Sequence, residues 1–275
     1  MPSGEDDLIA KYFKPLATDA GALGLVDDAA VLAATADDLV LTTDAVVEGV
    51  HFLPDDPPHT IARKALRVNL SDLAAKGATP AGFLLTLALR SADPAFLQPF
   101  AAALGQDAAS YRCPLLGGDT VSTPGPLMIS VTAFGRVPPG RMVRRDRLRA
   151  GDLIVVSGTI GDAALGLDVL QGRLTELTTD QQAFLIDRYR QPQPRSALAA
   201  AVRDHAGAAM DVSDGLAGDL AKLCAASGVS ATINAGAVPL SAAGRAALGQ
   251  AGLARLLPGG DDYGVLCGVA ADAID

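Results

Sequence analysis

VPPGRMVRRDRLRAGD, residues 137–152, is the stretch on which the reading of the fold turns. Paired prolines, two glycines and five arginines leave no apolar period that would sustain a strand or a helix. Apolar segments alternate in type on both sides of it, so it reads as the border between two α/β domains, 1–137 and 138–275. Upstream, LMISVTAFGR (127–136) and Phe83–Leu89 read as strands, with a helix at 94–110 between them. Thr60 is placed to cap a helix running to about Lys76, with Ala62, Leu66, Leu70 and Leu73 on its buried side and Gly77 ending it. Leu39–Thr43 and Ala29–Leu32 read as strands, and 5–16 as an opening helix with Leu8, Ile9 and Phe13 on one face. Downstream the pattern restarts: strand 153–157, the turn SGTIG, helix 162–171, helices near 178–189 and 195–204, strand 208–212, helix 215–227 and a strand near 229–234.

Composition narrows the class. Hydrophobic residues make up 49% of the 275 and charged residues 19%, enough for a large core. Tryptophan is absent, so that core is built from Ala, Leu, Val and Ile. A net charge of -9 argues against a nucleic acid or an anionic membrane as partner, since both select a basic face. Three cysteines without a CxxC pair support neither a disulfide framework nor a zinc knuckle. The acidic N-terminus MPSGEDDLIA lacks a signal-peptide core and no run of eighteen apolar residues occurs, so the expectation is a soluble, cytoplasmic protein.

The carboxylates carry the chemical signal. Asp27-Asp28 precedes an apolar segment, Asp44 follows LVLTT, Asp72 sits in NLSDLAAKGA, Asp119 closes LLGGDT, and Asp211 and Asp214 lie in MDVSDGL. Mg²⁺ wants about six oxygen ligands and takes one or two carboxylates per ion, completing its shell with phosphate oxygens and water. Thr42, Thr43 and Ser213 add hydroxyls, and Gly117 and Gly118 would let backbone approach a phosphate. Taken singly, each has a plainer reading. Asp214 is a helix N-cap, Asp72 an i, i+4 partner of Lys76, Asp119 a turn residue, the arginine run a solvated face and SGTIG a tight strand-to-helix turn. The P-loop, dinucleotide-binding, protein-kinase, GxSxG and HExxH motifs are all absent. His51, His59 and His205 are too scattered for a histidine zinc site.

Nine stretches, in this order, resemble the thiamine-monophosphate kinases, a family of the aminoimidazole-ribonucleotide synthetase-like superfamily. They are GEDDLIAKYF (4–13), LVDDAAVL (25–32), LTTDAVVEGVHF (41–52), KALRVNLSDLAAKGATP (64–80), LLGGDT (115–120), GRMVRRDRLRAGD (140–152), VSGTIGDAALGL (156–167), MDVSDGL (210–216) and PGGDDY (258–263). The resemblance implies a two-domain α/β (α+β) fold whose N-terminal strands form a β-barrel across a homodimer. It implies Mg²⁺-dependent transfer of the γ-phosphoryl of ATP to thiamine monophosphate. Asp28, Thr42, Thr43, Asp44, Asp72, Asp119 and Asp211 match magnesium positions, with Asp214 as a further one. Gly118, Asp119, Arg145 and Ser213 match ATP contacts, with Arg144 the nearest rival to Arg145. His51 and Asp261 match substrate contacts. No residue is implied as a general acid or base; the catalytic contribution of Arg145, Asp44 and Asp119 would be electrostatic.

The chain departs from the family in three places. Val26 stands where a glycine is usual, Asp261 where a glutamate is usual, and Gly264 where a second glutamate is usual. The resemblance also implies that the second domain stops at Asp275 short of a last strand and helix. Two alternatives accompany the kinase: a sister ATP-dependent synthetase, such as aminoimidazole-ribonucleotide or selenophosphate synthetase, and a non-catalytic nucleotide and metal binder. Selenophosphate synthetase typically needs an early reactive Cys or selenocysteine, and the first cysteine here is Cys113.

Overall fold

The computed structural model describes residues 4–273. Met1–Ser3 of the acidic N-terminus and the chain end at Asp275 lie outside the described residues. The chain divides into two compact units, one of Met1–Leu73 with Thr79–Gly140, the other of Ala74–Ala78 with Arg141–Asp275.

The first unit opens with α1 (Gly4–Leu8), which runs on as a π-helical turn through Ile9–Phe13 and a 3₁₀ turn at Lys14–Leu16. It then holds β1 (Asp38–Val47), α2 (Pro58–Ala75), β2 (Thr79–Leu89), α3 (Pro94–Ser110), β3 (Leu115–Ser122) and β4 (Met128–Val137). The strands form one sheet in the order β1-β4-β2-β3. β2 and β3 run parallel, because α3 carries the chain back across the sheet between them; the other pairs are antiparallel. Asp93 caps α3 by accepting from the Ala95 N–H at 2.9 Å, and Pro94 supplies the fixed φ that suits a first helical turn. Leu66, Leu70 and Leu73 of α2 and Leu97, Phe100 and Leu104 of α3 are fully buried, as are Phe83, Ile129, Val131 and Ala133 of the sheet. Arg67 ties α2 to α3 through a two-pronged contact with the buried Asp107, at 2.6 and 2.9 Å.

The second unit holds β5 (Leu153–Val156), α4 (Asp162–Leu170), α5 (Thr179–Arg190), α6 (Ala199–His205), β6 (Ala206–Asp211), α7 (Leu216–Ser227), α8 (Ala242–Ala251), α9 (Leu253–Leu256) and β7 (Val265–Val269). Its sheet is antiparallel in the order β5-β7-β6. Ile160, Met210, Val212, Leu216, Leu223 and Leu266 form one core between that sheet and α7. Leu165, Leu185, Ala247 and Leu256 form another among α4, α5, α8 and α9. A capping box at Thr178 and Gln181 starts α5. No described helix is long and apolar enough to cross a membrane.

Several elements differ from the sequence expectation. Ala29–Leu32 forms no strand: the Val31 N–H turns back to the Gly21 carbonyl at 2.8 Å, so the segment closes a loop. The region 229–234 forms none either, because the Val229 N–H completes the end of α7 on the Cys224 carbonyl and Asn234 caps a short 3₁₀ turn. Thr60 sits inside the first turn of α2, donating to the Pro57 carbonyl, and the helix starts at Pro58. The sequence expectation holds no strand at β3 or β7. In β3 the pair Gly117-Gly118 suggests a loop, yet a Cβ at Gly118 would fall 1.8 Å from the Leu85 carbonyl oxygen, so close approach to β2 demands glycine there.

The Arg67–Asp107 pair gives a test of this packing. Asp107→Ala removes the buried carboxylate that Arg67 grips beside the Tyr111 ring, and is expected to lower unfolding free energy by about 3 kcal/mol in urea titration. A loss below about 1 kcal/mol would mean the pair is solvated in solution.

Candidate active site

Register decides which way the predicted ligands of the first unit point. Thr42 and Asp44 of β1 stand opposite Ala133 and Val131 of β4, which stand opposite Phe83 and Leu85 of β2. Those four partners are buried, so alternation turns Thr42 and Asp44 toward the packed face of the sheet. There α2 delivers Asp72, whose Oδ2 accepts from Thr42 Oγ1 at 2.5 Å. The plain reading of Asp72 as a helix-surface partner for Lys76 thus meets a different geometry: Asp72 faces β1, and the Lys76 ammonium donates to the Ala209 carbonyl at 2.7 Å. Asp44 remains open to solvent along part of its length, but its carboxyl is held up to about 6. Burial of the carboxyl is the main cause, followed by the charge of Asp72 and a hydrogen bond with it.

Thr43 and Asp119 lie on the opposite face. Thr43 pairs with Thr132, the two hydroxyls 3.1 Å apart, and Asp119 stands opposite Thr86 within β3. Asp119 is therefore a strand residue, not a turn residue. A cavity of about 760 Å³ opens on that side, with Asp27, Asp28, Gly118, Asp119 and Thr132 among its lining. Six predicted ligands of this unit are thus sorted by the sheet into two groups, Thr42, Asp44 and Asp72 on one face and Asp28, Thr43 and Asp119 on the other.

His51 lies in the tight loop after β1. The Val47 N–H donates to His51 Nδ1 at 3.0 Å, which makes Nδ1 an acceptor and leaves the ring proton on Nε2. The loop is anchored by Lys64 of α2, a fully buried lysine whose ammonium donates to the His51 carbonyl at 2.7 Å. Lys64 escaped the sequence reading, although Ile61 and Val68, three before and four after it, lie on the same buried stripe.

In the second unit Asp211 closes β6 and is buried, with Ser213 and Asp214 in the turn before α7. Asp214 does not cap that helix. Gly215 occupies the cap position, while the Asp214 carboxylate pairs with Lys222, which also donates to the buried Asp219 at 2.9 Å. Asp219 in turn accepts the Asp214 N–H at 2.9 Å, so it organises the turn; nothing in the sequence distinguished it from a surface residue of α7. Ser213, Asp214, Asp261, Tyr189 and Arg255 line a cavity of about 330 Å³. Arg144 is engaged by Asp146 at 2.5 Å, whereas the exposed guanidinium of Arg145 has no protein partner among the described residues. No group of three His, Cys, Asp or Glu side chains converges as a ready metal cage among the described residues. The donor set is carboxylate pairs and hydroxyls, hard oxygen ligands of the kind magnesium shares with phosphates.

Residues 26–137 match the N-terminal domain of AIR synthase related proteins, and residues 149–263 match the C-terminal domain. The chain is 45% identical to the thiamine-monophosphate kinase of Caulobacter vibrioides, over 98% of its own length and 77% of that protein. It is similar to the crystal structure of the thiamine-monophosphate kinase of Stenotrophomonas maltophilia K279a, with a TM-score of 0.87, 42% identity, and coverage of 98% of this chain and 86% of that one. It also matches a structure of AaThiL complexed with AMPPCP and TMP, with a TM-score of 0.82, 31% identity, and coverage of 93% of this chain and 87% of that one. Both halves of the chain thus match in order, in fold and in sequence, and the protein belongs to the AIR synthase related proteins and, within them, to the thiamine-monophosphate kinase family.

Proposed function

We propose that this chain transfers the γ-phosphoryl of ATP to thiamine monophosphate, giving thiamine diphosphate and ADP, with Mg²⁺ held by its aspartates. The observation that carries the metal assignment is the Asp44–Asp72 pair. The two carboxylates share a hydrogen bond, Asp72 also accepts from the Thr42 hydroxyl, and the proton held by Asp44 up to about 6 is the one a divalent cation would replace. Asp28, Thr42, Thr43, Asp44, Asp72, Asp119, Asp211 and Asp214 are assigned to magnesium, Gly118, Asp119, Arg145 and Ser213 to ATP, and His51 and Asp261 to the acceptor. The barrel built from N-terminal strands across a homodimer belongs to the same proposal. The open edge strands β1 and β3 are the elements available for it.

The acceptor nucleophile is a phosphate monoester oxygen. Its second pKa lies near ~6, so it is largely deprotonated at neutral pH and no side chain need remove a proton. His51 fits such an acceptor, because its Nε2–H would donate to an anion while Nδ1 accepts from backbone. Arg145 would supply a cation to the ATP phosphates. The bound cations would offset repulsion between two polyanions and the charge that builds on the transferring group. The residues of the chain bind, orient and neutralise; none forms a covalent intermediate.

Purified protein incubated with ATP, Mg²⁺ and thiamine monophosphate is expected to form thiamine diphosphate, detected by fluorescence after oxidation. EDTA should abolish the product, and Asp44→Asn should lower kcat by about 10³-fold. Absence of product from folded, ATP-binding protein would sink the assignment.

The same substitution has an opposite effect on metal-free stability. Folding raises the Asp44 carboxyl from 3.8 to about 6, so its ionisation weakens the fold as pH rises through that window. At pH 8 without metal, Asp44→Asn is expected to raise the melting temperature by about 2 °C after allowance for solvent screening. A lowered melting temperature would show that the charge stabilises the fold. Arg145→Ala should raise KM for ATP about tenfold or more, whereas Arg144→Ala, which only frees Asp146, should change it little.

A further inference from the structure

The segment PGGDDY (258–263) is laid against the turn before α7 and the start of α4 in an unusual backbone conformation. Asp261 and Tyr263 both have positive φ, +70° and +51°, a region that residues with a side chain seldom adopt. Backbone bonds hold each in place: Asp261 N–H to the Ser213 carbonyl at 2.9 Å, Tyr263 N–H to the Val212 carbonyl at 2.8 Å, and Val212 N–H to the Gly264 carbonyl at 2.8 Å. The approach is so close that a Cβ at Gly260 would fall 2.5 Å from the Ser213 carbonyl oxygen. Between the two strained residues stands Asp262, whose side chain turns toward α4. Its Oδ2 accepts from the Gly161 N–H at 2.6 Å and its Oδ1 from the Ala163 N–H at 3.3 Å.

We infer that Asp262 is a positioning residue for the acceptor pocket: by taking the N-terminal N–H groups of α4, its carboxylate holds the strained segment so that Asp261 stands in the cavity with Ser213 and Asp214. This rests on the proposed role of Asp261. It also assigns the SGTIG turn. A helix start beside glycines invites a phosphate, but here the chain fills it with its own carboxylate. The turn is an anchor for the loop, not a phosphate cradle.

The electrostatics fit a residue retained for position. The Asp262 carboxyl is pushed up to about 7, chiefly by burial, with the two N–H groups pulling it down and Asp162 and Asp261 pushing it up. Asp162 of α4 and Asp261 of its own loop are the charged groups that face it. Folding therefore favours its protonated form, and its ionisation weakens the fold as pH climbs from 3.8 to about 7. At pH 8, Asp262→Asn should not lower the melting temperature. A residue kept only for stability would behave otherwise.

The test uses the full chain with Asp262→Ala, Asp262→Asn and Asp261→Ala. Asp262→Ala is expected to raise KM for thiamine monophosphate about tenfold while KM for ATP stays within about twofold. Asp262→Asn keeps an acceptor for the Gly161 N–H and should recover most of the loss. Between pH 8 and pH 6 the acceptor KM of the native protein should rise more than that of Asp262→Asn, since titration of the substrate phosphate is common to both. Hydrogen exchange at the Asp261 and Tyr263 amides should quicken in Asp262→Ala, a readout that needs no turnover. An unchanged acceptor KM in Asp262→Ala, with a raised one in Asp261→Ala, overturns this inference alone. Unchanged KM in Asp261→Ala overturns the substrate role of Asp261 instead. Unaltered exchange at both amides, or a fall in melting temperature that accounts for all lost activity in both Asp262 variants, overturns the positioning role.

Discussion

Two like charges brought together on the packed side of a sheet are the constraint around which the first unit is arranged. Asp44 and Asp72 come from elements far apart in sequence, β1 and α2, and neither helix propensity nor sheet pairing favours their meeting. What holds them is the apolar framework: Leu66, Leu70 and Leu73 fix the rotation of α2, and Val131 and Ala133 fix the face of β1 through its partner strand. Turning α2 by one residue, about 100° about its axis, would carry Asp72 away from Thr42. The repulsion is small beside the burial energy of a helix stripe, about 2 kcal/mol for each leucine, so the framework can impose it.

The second unit solves a different problem. Most of its candidate site residues sit on turns, where position is usually least certain. Here the turns are interlocked. The segments 211–215 and 258–264 exchange backbone hydrogen bonds across a gap too narrow for side chains, with Gly215 and Gly260 each meeting backbone of the other segment. Asp219 and Lys222 brace one segment from α7, and Asp262 ties the other to the start of α4. Rigidity that a strand would obtain from its neighbours is obtained from carboxylates accepting backbone N–H groups.

Much of this was legible in the sequence, and the limits have physical causes. The helix 94–110 was readable to the residue because Asp93 and Pro94 mark its start. β3 was hidden by glycines whose purpose is non-local, the approach of Leu85 from a neighbouring strand. The strand suggested at 229–234 had the right alternation but no partner: the Val229 N–H is committed to α7 and Asn234 to a 3₁₀ turn. Among the candidate ligands, the side of the sheet on which each falls depends on register, which no local pattern displays. Lys64 and Asp262 act through backbone partners on other elements, and Asp219 folds back on the turn before its own helix, so residue type alone gave no sign of them.

Folding moves Glu48, Asp146 and Asp168 in one direction and Asp44 and Asp262 in the other. Glu48 is lowered by the guanidinium of Arg90, and Asp146 by that of Arg144. At Asp168 burial works upward, but Arg255 and Arg173 outweigh it and the net shift is downward. These residues each have a cation, and their ionisation favours the fold. Asp44 and Asp262 go the other way, to about 6 and about 7, and among the described residues neither has a basic side chain as partner. Their ionisation opposes the fold across the range in which the proposed enzyme would work. A chain shaped by stability alone would place an amide or an apolar residue at both positions, so their presence calls for a reason outside stability. On the proposed function Asp44 would share a cation with Asp72, and Asp262 would hold the conformation of the residue beside it. The acidic balance of the chain, a net charge of -9, follows the same logic, since the counter-charge that an anionic substrate demands need not come from the protein at all.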